Sequence, residues 1–204
     1  MKRGQSGSDT LALQNRLLEL GYWIDNADSR YGEVTFQAVM AFQKQNGLPP
    51  SGTADQATVD AMTAATQRVS GAAVGDEIEV DMTKEVLYIV RGGLTLWALN
   101  TSTGSGKPYV ADDQKNPGTQ VTGDAKTHAG IFKVNREQSD GWWQSPLGLL
   151  YRPKYFDGGI AVHGARNVPN YPASHGCVRV SIAAMDYIWA QNLMPKGLRV
   201  WVHV

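Results

Sequence analysis

The chain has almost no cysteine: Cys177 is its one thiol in 204 residues. An internal disulfide is therefore excluded, and the redox compartment cannot be read from bridge usage. Net charge is missing too. Nineteen Lys and Arg side chains balance nineteen Asp and Glu, so no global field draws the protein onto nucleic acid or anionic lipid. No nucleic-acid partner is expected. Long apolar runs are absent as well: nothing approaches the ~18 residues of a membrane span, and none is expected. The opening MKRGQSGSDTLALQ has two basic residues with no apolar stretch behind them, so it does not read as a secretory signal. Work outside the membrane implies a signal removed ahead of this sequence.

What is present suffices for a core, since 42% of the residues are hydrophobic. From Thr10 to Leu20, Leu13, Leu17 and Leu20 recur at helical spacing, and Gly21 supplies a stop. A second helix is predicted from about Thr35 to Asn46, with Ala38, Val39 and Phe42 on one face and Gly47 as its C-terminal cap. A third begins near Thr53, whose spacing to Gln56 is that of a capping box, with Val59 and Met62 pointing inward. These three helices predict a small bundle over residues 1–66. The stretch QRVSGAAVGDE is rich in small residues and has no period, which reads as a linker at 67–75.

Beyond it the period changes. Ile78, Val80 and Met82 alternate with charged or polar residues, and VLYIV and LTLWAL flank Arg91, Gly92 and Gly93 as a hairpin. Further β-rich runs occur at GIFKV, GGIAVH and LRVWVHV, so residues 76–204 are predicted to form a mostly β domain. One helix interrupts it from Ser181 to about Asn192, with Ser181 as N-cap and Met185, Ile188 and Trp189 as an apolar stripe. The polar segment Gly104 to Thr127 has no period and reads as a long surface loop.

Chemistry concentrates at PASHGCVRV. Cys177 follows Ser174, His175 and Gly176, and His163 ends a predicted strand fourteen positions earlier. A free thiol with a pKa near ~8.5 is only slightly ionised at neutral pH. A neighbouring imidazole takes its proton, giving a thiolate and imidazolium pair, and returns a proton to a leaving amine. Gly176 lets backbone N–H groups converge on the oxyanion of an acyl-transfer intermediate. Two other readings fit the spacing: a buried, inert cysteine, or a zinc site of His163, His175 and Cys177, against which the lack of a second cysteine pair counts. His128 and His203 read as ordinary structural or surface residues.

Two families share these motifs. LQNRLLELGYW, YGEVTFQAVMAFQKQNGLPPSG and TADQATVDAM resemble the bacterial peptidoglycan-binding module over roughly Ser6 to Ala65. HG at 163–164 and SHGCVRV, with SPLGLLYRP and YFDGGIAVHG before and SIAAMDYIW after, resemble the L,D-transpeptidase catalytic domain over nearly all of Asp76 to Val204. The resemblance implies two domains, a three-helix wall-binding module and a mostly β, β-sandwich enzyme with one short helix. It implies Cys177 as nucleophile and His163 as general base, with His175 and Gly176 beside the oxyanion hole and Ser174, which opens the SHGC element, as a substrate contact. Arg179 would orient a substrate carboxylate or support the thiolate. Tyr151, Arg152 and Tyr155 are expected at the cleft rim, and Trp142 and Trp143 as an aromatic platform or as packing. Gly164 stands where some members carry a side chain that orients the base, so that partner is left open.

The implied reaction is attack of Cys177 on the third-residue carbonyl of a tetrapeptide stem, release of D-alanine, and transfer of the thioester to an amine, giving a 3→3 cross-link. Water as acceptor gives L,D-carboxypeptidase activity. A wall cysteine endopeptidase and an inert wall-binding protein are the competing readings. The implied partners are peptidoglycan and, as covalent inhibitors, β-lactams of the carbapenem type. No cofactor or metal is implied, and the implied location is extracytoplasmic, in cell wall or periplasm.

Overall fold

Five consecutive apolar residues, Val86 to Val90, are all fully buried, and the two faces of this strand organise the molecule. A computed structural model describes every residue from Met1 to Val204. The chain begins with three helices, α1 (Ser8–Glu19), α2 (Glu33–Gln45) and α3 (Gln56–Ala64). Strands β1 (Glu77–Asp81), β2 (Val86–Arg91), β3 (Leu94–Asn100), β4 (Tyr109–Asp112), β5 (Gln120–Gly123) and β6 (Gly130–Lys133) follow. Then come β7 (Arg136–Glu137), β8 (Trp142–Ser145), β9 (Gly148–Asp157), β10 (Ile160–Ala165), β11 (Val178–Ser181), α4 (Ile182–Ala190) and β12 (Arg199–His203). No helix is long and apolar enough to cross a membrane.

One sheet runs in the order β3-β2-β1-β12-β6 and a second in the order β11-β10-β9-β7, with β8 paired to β9. Side chains alternate across a strand, so β2 serves two cores. Val86, Tyr88 and Val90 join Leu13, Leu17 and Phe42 of the helices in one apolar cluster. Leu87 and Ile89 join Val162, Val178 and Val180 of the second sheet and Met185 and Ile188 of α4 in the other. A strand covered on both sides reads as a continuous apolar run.

Polar contacts reinforce this docking. The Lys44 ammonium donates to the carbonyls of Glu85 and Thr101, at 3.0 Å each. Tyr88 donates its hydroxyl to Gln45 at 2.5 Å, and Asn100 donates to Gln37 at 2.6 Å. Residues 67–75, expected as a linker, form a strap fastened at both sides. Arg68 donates to the carbonyls of Leu18, Glu19 and Leu96, and the amides of Ala72 and Ala73 donate to the buried Glu79 carboxylate at 3.0 and 2.9 Å. The small residues there have a steric reason. A Cβ on Gly71 would lie 2.2 Å from a Glu79 oxygen.

Two local expectations need correction. The cap of α3 is Asp55, not Thr53: its carboxylate accepts from the Thr58 amide at 2.9 Å and the Thr58 hydroxyl at 2.7 Å, and a carboxylate is a strong N-cap. The segment Gly104 to Thr127, expected as loop, contains the antiparallel hairpin β4-β5, whose turn is closed by the Asp113 carboxylate accepting from the amides of Lys115 and Asn116. Ser181 does cap α4, accepting from the Ala184 amide.

Because the helices and the first sheet share one core, they should unfold together. Truncating the fully buried Tyr88 in Tyr88→Ala leaves a cavity costing about 3–5 kcal/mol. Calorimetry should find a single transition shifted to lower temperature, and two separate transitions, with the β part melting at its original temperature, would refute the shared core.

Candidate active site

Strands β10 and β11 run parallel and in register, with His163 opposite Arg179 and Val162 opposite Val178. Cys177 stands immediately before β11. This pairing carries His163, Arg179 and Cys177 into one cleft of about 560 Å³, which Ser174 and His175 also line. The Cys177 sulfur lies 3.8 Å from the Gly159 carbonyl oxygen, and the Ala161 amide is within hydrogen-bonding reach of it.

The orienting partner of the histidine, open at the level of sequence, is the carbonyl of Gly164, 2.8 Å from His163 Nδ1. A carbonyl oxygen only accepts, so Nδ1 carries the hydrogen and Nε2 keeps the lone pair. Glycine is required at that position. A Cβ there would lie 2.8 Å from the Tyr151 ring and 3.1 Å from Met185.

Electrostatics differ from the thiolate and imidazolium pair expected for free groups. His163 is 4% exposed; burial, with a smaller push from the Arg179 guanidinium, lowers its pKa to about 4 against the donation to Gly164. Burial likewise raises the Cys177 thiol, opposed by the Ala161 amide and by Arg179. Both effects favour the uncharged forms. The resting pair is a thiol and a neutral imidazole.

The turn before Cys177 is held internally. Ser174 is buried, donates its hydroxyl to the Cys177 carbonyl at 2.5 Å and accepts from the Gly176 amide at 3.0 Å. Its hydroxyl is thereby committed to the turn, which corrects the expectation of a substrate contact. Gly176 has φ 127°, a backbone region that side chains disfavour, and its carbonyl accepts from Thr127 at 2.6 Å. The amides of Ala173 and Ser174 both donate to the Thr103 carbonyl, while the Thr103 amide and hydroxyl donate to the Glu85 carboxylate.

The cleft walls come from elements distant in sequence. Trp142 lines the cleft, its ring 5.1 Å from that of Tyr151 and with the Arg166 guanidinium 5.0 Å above it. Tyr109 and Val121 of the β4-β5 hairpin form a wall that sequence reasoning missed, and Tyr109 meets the His175 ring edge-on at 4.6 Å. Ile160, Arg166 and Asn167 also line it unforeseen. The hairpin had left a signal in the Asp113 and Asn116-Pro117-Gly118 turn residues.

Tyr155 is not at the rim. Strand β9 is covered on both faces from Pro153 to Phe156, and the Arg136 guanidinium closes over the Tyr155 ring at 3.8 Å, leaving it buried. Tyr151 and Arg152 do not line the cleft either; both bond Asp186 of α4, at 3.0 and 2.7 Å. Trp143 lies under Lys115, outside the cleft. His128 pairs with Asp157 at 2.7 Å and His203 with Glu79 at 3.0 Å. No group of His, Cys, Asp or Glu side chains is arranged to hold a metal ion.

Residues 6–62 match a putative peptidoglycan binding domain and residues 75–202 the L,D-transpeptidase catalytic domain. The crystal structure of an L,D-transpeptidase from Xylanimonas cellulosilytica is similar over 100% of this chain and 97% of that one, at 42% identity and a TM-score of 0.88. An L,D-transpeptidase from Stackebrandtia nassauensis shares the fold, at 21% identity and a TM-score of 0.53 over 100% of this chain and 95% of that one. A probable N-acetylmuramoyl-L-alanine amidase of Bacillus licheniformis is 36% identical over 73 residues, which are 35% of this chain and 21% of that protein. The chain thus spans only about a fifth of that curated relative's length. With the catalytic-domain match running through the strands that carry His163 and Cys177, the chain belongs to the L,D-transpeptidase family.

Proposed function

We propose that the cleft catalyses acyl transfer on peptidoglycan stems, with Cys177 as nucleophile and His163 as general base. The observation that carries this reading is the committed Nδ1 of His163, which leaves an unprotonated Nε2 in the cleft that holds the only thiol. The sulfur attacks the third-residue carbonyl of a tetrapeptide stem as Nε2 takes the thiol proton. The resulting oxyanion meets amides of the turn. Because the Gly176 amide is committed to Ser174, the donors we assign are those of His175 and Cys177, with Gly176 shaping the turn. Collapse breaks the peptide bond, the imidazolium returns its proton to the departing D-alanine amine, and a thioester remains.

In the second half an amine of another stem attacks the thioester, His163 takes its proton, and the thiol is regenerated. Water in place of the amine gives the L,D-carboxypeptidase outcome, and a wall endopeptidase would follow the same steps on a different bond. Arg179, beside both catalytic groups, is positioned for a substrate carboxylate and for the charge that develops on sulfur. Trp142 offers an aromatic wall for the stem. No step requires a metal.

The division that fits this function is a wall-binding three-helix bundle at 1–66, a strap at 67–75 and a β-sandwich catalytic domain at 76–204, acting in the cell wall or periplasm. Peptidoglycan is the partner, and carbapenems, whose strained amide acylates thiols, are the expected covalent inhibitors.

Incubation with disaccharide-tetrapeptide and mass analysis tests the reading: cross-linked dimers and free D-alanine are expected. Cys177→Ala should yield neither, and its intact mass should not change with a carbapenem. Turnover in that variant would remove the thiol from the mechanism. His163→Ala should acylate about 10²–10⁴-fold more slowly.

The pH dependence follows from the depressed histidine. A base held near 4 stays neutral through the range where an ordinary imidazole, near ~6.5, would protonate. Carbapenem acylation should therefore hold its rate from pH 7 down to about 5 and fall as pH drops through about 4. A loss centred near 6.5, followed by stopped-flow, would mean a solvated histidine.

A further inference from the structure

A second depression of about 330 Å³ lies where the helical part meets the catalytic domain, between α2 with the Pro50–Ser51 turn on one side and residues 166–170, beyond β10, on the other. Arg166 and Asn167 line both this groove and the catalytic cleft and form the shoulder between them. We propose that the groove receives the N-acetylated sugar of the glycan strand to which the reacting stem is attached. This rests on the acyl-transfer reading above.

The groove is built rather than left over from loose docking. Gln37, 7% exposed, donates to Glu33 at 2.8 Å and to the Val168 carbonyl at 3.2 Å while accepting from Asn100. Asn170 donates to the Pro50 carbonyl at 2.9 Å across the junction. These bonds fix the separation of the walls.

Its chemistry suits a pyranose. Phe36, half-buried, lines the groove with the Arg3 guanidinium stacked over its ring at 4.7 Å, which sets an apolar surface and a planar cation side by side. Arg166 and Asn167 are exposed planar groups at the shoulder, able to bond ring hydroxyls and acetamides with both donors and, for the asparagine, an acceptor. Arg3 and Glu33 pair with each other at the far wall, which leaves Arg166 as the one uncompensated charge of the lining. That fits a neutral sugar better than a polyanion.

Reach supports the same occupant. With the third stem residue at Cys177, the sugar leaves the cleft about three residues of extended peptide away, roughly 10 Å. Arg166 lies one residue past the end of β10 and three past His163, at most about 10 Å at ~3.3 Å per residue. A stem that runs from Cys177 toward the end of β10 brings its sugar to this shoulder.

The test compares disaccharide-tetrapeptide with the sugar-free tetrapeptide in the full chain. The wild type should favour the disaccharide form in kcat/KM by about tenfold, and Phe36→Leu and Ser51→Trp, one removing the aromatic face and the other filling the groove, should each bring the ratio near one. In parallel, Cys177→Ala protein titrated with peptide-free disaccharide should shift the amide resonances of Phe36 and Asn167. Equal use of both substrates by the wild type, or a preference untouched in both variants, would overturn the proposal. If neither substrate reacts, the acyl-transfer reading fails, and the titration alone decides the groove: shifts confined elsewhere, or none, overturn it.

Discussion

The structure depends on a sheet that is wanted by both halves of the molecule. Strand β2 gives Val86, Tyr88 and Val90 to the helices and Leu87 and Ile89 to the core that backs the catalytic strands. Neither half can bury its apolar face without the other. The helical part is consequently not a tethered anchor that raises local concentration through a flexible link. Its position relative to the cleft is fixed by a hydrophobic interface, the strap on Glu79 and the bonds of Lys44, Gln37 and Asn170.

Burial also decides the state of the catalytic pair. The same packing that excludes Gly164 from bearing a side chain holds its carbonyl on His163, and the low-dielectric surroundings keep both imidazole and thiol uncharged. Charge separation is deferred to the reaction. Arg179, opposite His163 in the β10-β11 register, opposes an imidazolium and favours a thiolate, two effects that offset each other when the proton passes from sulfur to ring.

Features encoded over a few residues were legible in the sequence: the apolar faces of α1 and α2, the glycine stops at Gly21 and Gly47, the Ser181 cap and the SHGC turn. Where two local patterns overlap, the stronger acceptor wins, as with Asp55 and Thr58 offset by two residues from the Thr53 to Gln56 pattern. The β4-β5 hairpin escaped because both its faces are largely open, so no buried face imposes an apolar alternation. Tyr155 misled because a tyrosine in a strand reads the same at a rim or in a core, and only the long-range approach of Arg136 decides. The roles of Arg166 and Asn167 depend on two distant segments meeting, which no spacing encodes.

The shared sheet has a thermodynamic consequence. When two regions open only as a unit, a ligand that binds one of them in the folded state stabilises both by mass action. In the proposed function, wall polymer held by the helices therefore also adds to the free energy required to unravel the thiol's surroundings. On that reading the protein resists denaturation most where insoluble wall polymer is most abundant.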